Sequence, residues 1–497
     1  MLALRHYSLC LLAFLLFNSV LISQEADHLE GCGTKERSLW LKAYRMRMAH
    51  TALKGSDTTW LYVPCTFHIT GSNAVSGYYE LSSAFRALCD MNAQFEQARI
   101  RFYMFPGDAV RYLNNAAWHN HDWEEGAEMI TENNIPDRFN IYIVQNPAGA
   151  CGYSWLDAVV MGKSCSGPGN GTWAHEAGHH FSLPHTFSGW EDATPNYNQP
   201  APETVNGWAV EKMDGSNCYE AGDLFCDTRP DYLSYRWSCN DDLQSTQLQK
   251  DPNGVQFRSN AQWFMSYSLD ACMRSFSPEQ IAAMRENLRT EHASYLQTQD
   301  HPEQIPDTAR VHLLSPIDSQ IISHTNIPFR WKSVPNATYY HVEIFFYPNM
   351  TTRLFSQMAY KDTAIVVPKL INNRAVFWRV RAYSEADVCV QTAGEEKGIF
   401  QTRNFSAVND LERLLTVEVS PNPATDHAQI TLYAEKNMDA QLRVTNANGQ
   451  VFIEKNVRLY SGENTLPLWL DTCPEGIHWI IISNAQGSIV RRVAVGR

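Results

Sequence analysis

At 497 residues, with 44% hydrophobic and 12% aromatic residues, the chain is too long for one ordinary core and too apolar for wholesale disorder. About 150 residues per domain suggests roughly three folded units. The formal net charge of −13, with acidic and basic residues mixed, gives no basic footprint and disfavours a nucleic-acid partner.

In chain order, the first stretch is MLALRHYSLCLLAFLLFNSVLISQ. Arg5 and His6 precede an apolar run over 9–17, then small and polar residues follow, the layout of a signal peptide over 1–23. No other run of about 18 apolar residues occurs, so the mature chain is expected to be secreted or held at the cell surface rather than membrane-spanning. Twelve cysteines suit an oxidising compartment. Cys10 leaves with the signal, and the eleven that remain cannot all pair. Cys32, in EGCGTK ahead of the first strand and apart from the later cysteine clusters, is the candidate for the thiol left over.

A folded region is expected over 56–298. TTWLYVPCTFHITG reads as a strand, YYELSSAFRALCDMNAQFEQARI as a helix with apolar positions at helical spacing, and IRFYMF and FNIYIV as further strands. Mixed strands and helices point to an α/β or α+β domain. WHNHDW, at 118–123, lacks helical or paired metal-ligand spacing and is expected at the surface.

The glycine-rich SCSGPGNGT leads into HEAGHHFSLPH, residues 175–185. Residues four apart share a helix face, so His175 and His179 can aim their imidazoles at one point. Zinc takes such nitrogens in a tetrahedral shell, and Glu176 beside them can act as base towards a water the metal has acidified. Pro184 cannot continue the helix, so the chain must turn back and present His185 as third ligand. His180, about 100° round from His179, points away from the metal and packs elsewhere. The H-E-x-x-H-x5-H spacing is that of the metzincin zinc peptidases, which carry glycine at the eighth position; here Ser182 stands there, and a positive φ would strain it by about 1 kcal/mol.

Downstream, WFMSYSLDACM supplies a methionine turn. Together, GTWAHEAGHHFSLPHTF, FMSYSLDACMRSFSPEQIAAMR, CGT at Cys32 and GDLFCDTRPDY at 222–232 resemble the pappalysin family of secreted endopeptidases over roughly 30–290. The resemblance implies an α+β metzincin catalytic domain with a twisted sheet, an active-site helix and a turn centred on Met265. It implies that Tyr267 stabilises the tetrahedral intermediate, and that Cys32, on a pro-segment over 24–55, ligates the zinc and keeps the precursor latent. It further implies that Asp270 lines the pocket after the scissile bond and selects arginine or lysine there. Cys218, Cys226, Cys239 and Cys272 admit three connectivities as two bridges. The resemblance favours the crossed one, Cys218 with Cys239 and Cys226 with Cys272. Cys151 with Cys165 closes a short loop cheaply. Some relatives bind calcium near the active site, for which Asp223, Asp227 and Thr228 offer oxygen ligands.

The polar LQTQDHPEQIPDTARV is the expected linker. IPFRWKSV, TYYHVEIFF, AIVVP and AVFWRVRAY then alternate at strand spacing, and the block at 308–403 resembles a fibronectin type III-like sandwich anchored by Trp331 and Trp378. The block at 414–497, with VSPNPATDHAQI, NANGQVF and PEGIHWIIIS, resembles the C-terminal sorting domain of type IX secretion, with the secretion machinery as its partner. Two all-β sandwich-like domains thus follow the catalytic one. The reading is a latent, secreted zinc endopeptidase acting on proteins or peptides. The rival class is a surface adhesin with a structural or vestigial metal site.

Overall fold

The computed structural model describes residues 30–34, 38–48, 57–297, 301–389, 396–404, 415–446, 449–484 and 487–496. The signal peptide and half of the 24–55 segment lie outside them. The chain divides into two compact units, 1–299 and 300–497.

The first unit is built on a seven-stranded sheet. Its strands are β1 (Glu30–Cys32), β2 (Leu61–Gly71), β3 (Ile100–Met104), β4 (Val110–Asn114), β5 (Phe139–Val144), β6 (Ala150–Trp155) and β7 (Ala158–Gly162). The order is β1-β6-β7-β5-β2-β3, with β4 also on β2. β2, β3, β4, β5 and β7 are mutually parallel, whereas β6 turns back antiparallel to β7, and β1 lies parallel along the outer edge of β6. β5 is buried along its whole length and β2 at every position but Tyr62, so both faces of these central strands are covered. Helices α1 (Leu39–Met48), α2 (Leu81–Gln94), α3 (Trp123–Asn133), α4 (Thr172–His180) and α5 (Pro278–Thr290) complete the unit. α2 buries Leu81, Phe85, Leu88 and Met91, the positions spaced for one helix face.

The WHNHDW stretch departs from expectation, because His119 and His121 are 8% and 4% exposed. Thr70 Oγ1 lies 2.9 Å from His119 Nδ1, and His121 packs edge-on against Tyr153. The polarity that suggested a surface is largely capping chemistry: Asp122 and Glu125 form a reciprocal capping box that starts α3. His180 is buried, as a packing residue. It stacks on His292 at 4.6 Å and lies within 3.3 Å of the Tyr295 hydroxyl, which donates to Asp157 at 3.1 Å.

The second unit is all β. Residues 313–403 form a three-stranded and a five-stranded sheet around one core in which Trp331 and Trp378 are 1% and 0% exposed. One pair, Gln320–Ser323 with Gly398–Arg403, is parallel, unlike the antiparallel sandwich of the immunoglobulin type. Residues 415–495 form three- and four-stranded sheets around a second, separate core. Among the described residues no helix is long and apolar enough to cross a membrane.

Candidate active site

α4 carries the histidine pair, and its ending brings in the third ring. Ser182 N–H donates to His179 C=O at 2.8 Å and Leu183 N–H to Gly178 C=O at 3.0 Å, the two bonds of a Schellman stop. That motif needs a left-handed residue, and Ser182 occupies it at φ +71°. Asn287 Nδ2 donates to the Ser182 hydroxyl at 3.0 Å, which steadies the serine where glycine would need no help. The reversal returns His185 to the helix.

The three rings converge through their Nε2 atoms, with His179 3.1 Å from His175 and 3.2 Å from His185. The opposite nitrogens are held from behind: His175 Nδ1 by Phe264 C=O at 2.6 Å, His179 Nδ1 by Leu183 C=O at 2.7 Å, and His185 Nδ1 by Glu191 at 3.3 Å. Carbonyl acceptors place the proton on Nδ1 of His175 and His179, which turns their Nε2 lone pairs inward. Burial, then the charge of neighbouring His185, pushes His175 down to about 3 and His179 down as well, so both rings are neutral donors. Lone pairs facing one another repel unless a cation lies between them. Two ligands about 2.0–2.1 Å from one tetrahedral ion stand roughly 3.3–3.4 Å apart, close to the spacing seen, so the donor set fits zinc.

Cys32 Sγ belongs to the same cluster, all four ligand atoms lying within 4.8 Å of one another. β1 brings it there through its backbone pairing to β6, Cys32 opposite Gly152. Its thiol is also 3.3 Å from Glu176 Oε2. Glu176 is fully buried, and burial, only partly offset by the Cys32 hydrogen bond, pushes its carboxyl up to about 8. Tyr267 closes the site from the other side: its hydroxyl accepts from Cys32 N–H at 2.9 Å and donates to Cys32 C=O at 3.0 Å. Burial raises the Tyr267 phenol, so it stays a donor. Met265 is 0% exposed beneath α4, and a Cβ on Gly178 would come within 2.4 Å of its sulfur. Only glycine permits that approach. Asp270 lies beside α4, accepting from Gly171 N–H at 3.0 Å.

Two expectations need correction. The bridges are Cys218–Cys226 and Cys239–Cys272, not the crossed pairs, with Cα separations of 5.1 and 6.1 Å. They close 8- and 33-residue loops, shorter than the crossed alternatives and cheaper in chain entropy. Cys151–Cys165 is bonded as expected. The oxygen donors nominated for calcium do not act as one set. Asp227 accepts from Ser277 Oγ and Glu279 N–H, capping α5, while Thr228 donates to Asp223 at 2.9 Å. The group beside Asp223 is instead Glu211, whose carboxyl is raised by burial and then by the charges of Asp223 and Asp231. Sequence reading also missed Glu191, the support of His185, whose signal was an acid six residues beyond that histidine. It missed Arg236 as well, the one basic residue between Pro230 and Gln249.

Comparison with solved structures finds a promirolysin mutant from Tannerella forsythia at 16% identity and TM-score 0.38, covering 54% of this chain and 97% of that one. Dimeric latent PorU from Porphyromonas gingivalis is similar at 12% identity and TM-score 0.16, over 38% of this chain and 20% of that one. The BSP domain of a biofilm-associated protein is similar at 12% identity and TM-score 0.17, over 38% and 29%. Scores this low carry no argument about chemistry. No curated protein matches the chain. Residues 418–496 match the secretion system C-terminal sorting domain, and the protein is therefore one exported by type IX secretion to the cell surface or the extracellular space.

Proposed function

We propose that the chain is a zinc-dependent endopeptidase of metzincin type, similar to pappalysins, that hydrolyses peptide bonds of proteins and is exported as a latent precursor. The observation that carries the reading is the convergence of the His175, His179 and His185 Nε2 atoms beside a buried glutamate. Zinc, when bound, lowers the pKa of water and polarises a carbonyl. Glu176 takes the proton of the attacking water, holds it in a dry environment that favours the protonated carboxyl, and returns it to the amine nitrogen as the carbon–nitrogen bond breaks. The Tyr267 hydroxyl donates to the carbonyl oxygen as charge grows there. In the precursor that hydroxyl is engaged by the Cys32 backbone, and the Cys32 thiol, beside the three histidine nitrogens, would hold a fourth position on a bound zinc, which supports latency. Asp270 receives the side chain that follows the scissile bond.

One observation favours the adhesin reading: with Cys32 in place, four side chains stand together that would close a bound metal, as in structural sites. Glu176 separates the two, since a structural site has no use for a buried acid. We expect Glu176→Gln to keep zinc, measured by elemental analysis, while peptide cleavage by the matured protein falls by about 10²–10⁴-fold. Chelation should abolish cleavage in the parent. Undiminished cleavage in the variant would defeat the proposal.

A further inference from the structure

The cavity of about 190 Å³ beside Glu176 and His175 is lined by Asp270, Thr172 and Met273, and also by Arg236. The Arg236 guanidinium lies 3.4 Å from Asp270 Oδ2, the two side chains being 42% and 34% exposed. Asp270 Oδ1 accepts from Gly171 N–H, so Oδ2 is the oxygen that Arg236 engages.

The pairing is built into the backbone. Trp237 N–H donates to Tyr267 C=O at 3.2 Å, and Leu269 N–H donates to Trp237 C=O at 2.9 Å. The Cys239–Cys272 disulfide ties the same two segments a little farther on. Arg236 therefore sits over the turn that carries Tyr267 and Asp270.

We propose that Arg236 is a specificity-determining residue of this site: its guanidinium neutralises the Asp270 carboxylate and mutes selection for arginine or lysine after the scissile bond. The inference rests on the peptidase reading. A substrate arginine must exchange with Arg236 to reach the carboxylate. Exchange is feasible because the resident contact is a single long one on a part-exposed pair, whereas an incoming guanidinium can make two parallel bonds. The consequence is a pocket that accepts basic side chains without demanding them.

The test uses the matured protein and a peptide series that differs only in the residue after the scissile bond: arginine, lysine, glutamine or leucine. We expect the arginine-to-glutamine ratio of kcat/KM to rise roughly two- to five-fold in Arg236→Gln, the scale of an exposed ion pair. The change should reside in KM and should vanish in the Arg236→Gln/Asp270→Asn double variant. Arg236→Lys should fall between parent and Arg236→Gln, which separates charge competition from lost packing. An unchanged or lower ratio, or an equal loss on all four peptides, overturns the inference while leaving the peptidase reading intact. A parent that cleaves none of them overturns both.

Discussion

Ser182 holds φ +71° at a helix end that ordinarily takes glycine, and it does so with its hydroxyl bonded to Asn287, itself 1% exposed. Two effects of similar size therefore oppose each other. Ser182→Gly relieves about 1 kcal/mol of backbone strain and loses a hydrogen bond, whereas Ser182→Ala keeps the strain and still strands a buried donor, at about 1–3 kcal/mol. The expected order of thermal stability is serine close to glycine, with alanine lowest by about 1 kcal/mol or more. Melting curves that place alanine level with glycine would show that the turn is not strained. Position 182 was legible as an anomaly in the sequence. Its partner was not, because Asn287 lies 105 residues away on another helix.

At the scale of elements, β1 is a three-residue edge strand whose register places Cys32 opposite Gly152. A pairing this short contributes little by itself, so on the proposed reading the thiol beside the three histidines would be a principal anchor of the segment. α1 adds to it through Arg45, 2.5 Å from Glu279. The expected result for Cys32→Ala is a full-length precursor that cleaves peptide at least about ten-fold faster than the parent before any processing, since a strong fourth ligand has been lost. Equal latency in parent and variant would assign inhibition to α1 and to strand pairing instead. The helices and strands of this unit were largely readable from periodicity. WHNHDW was not, because polar residues at a capping box and polar residues on an open surface look alike until the neighbouring strand buries them.

For the whole molecule, the block at 415–495 has a core of its own, and residues 418–496 match a sorting domain. A chain ended after 404 loses that core entirely while leaving the residues of the candidate site untouched. We expect it to be made and to stay inside the cell, detected by fractionation, while the full chain reaches the surface or medium. Release of the truncated chain at the parent's level would mean that export is read elsewhere.

What the sequence determined by itself was local or repetitive: an export signal, strand and helix periods, and two histidines that share a helix face because they lie four residues apart. Motif resemblance nominated Met265, Tyr267, Cys32 and Asp270, but spacing alone could not unite them with His175, since separations of 80 residues or more are closed only by packing. The tertiary structure decided which carboxylates are already occupied: Asp227 by a helix cap, Asp270 by Arg236. It also set the disulfide pairing, which composition leaves open among three choices and which the folded loops settle by bringing Cys218 to Cys226 and Cys239 to Cys272. The physical reason is the same throughout. Local geometry follows from the backbone, whereas the partner of a polar side chain depends on which distant segment the core brings beside it.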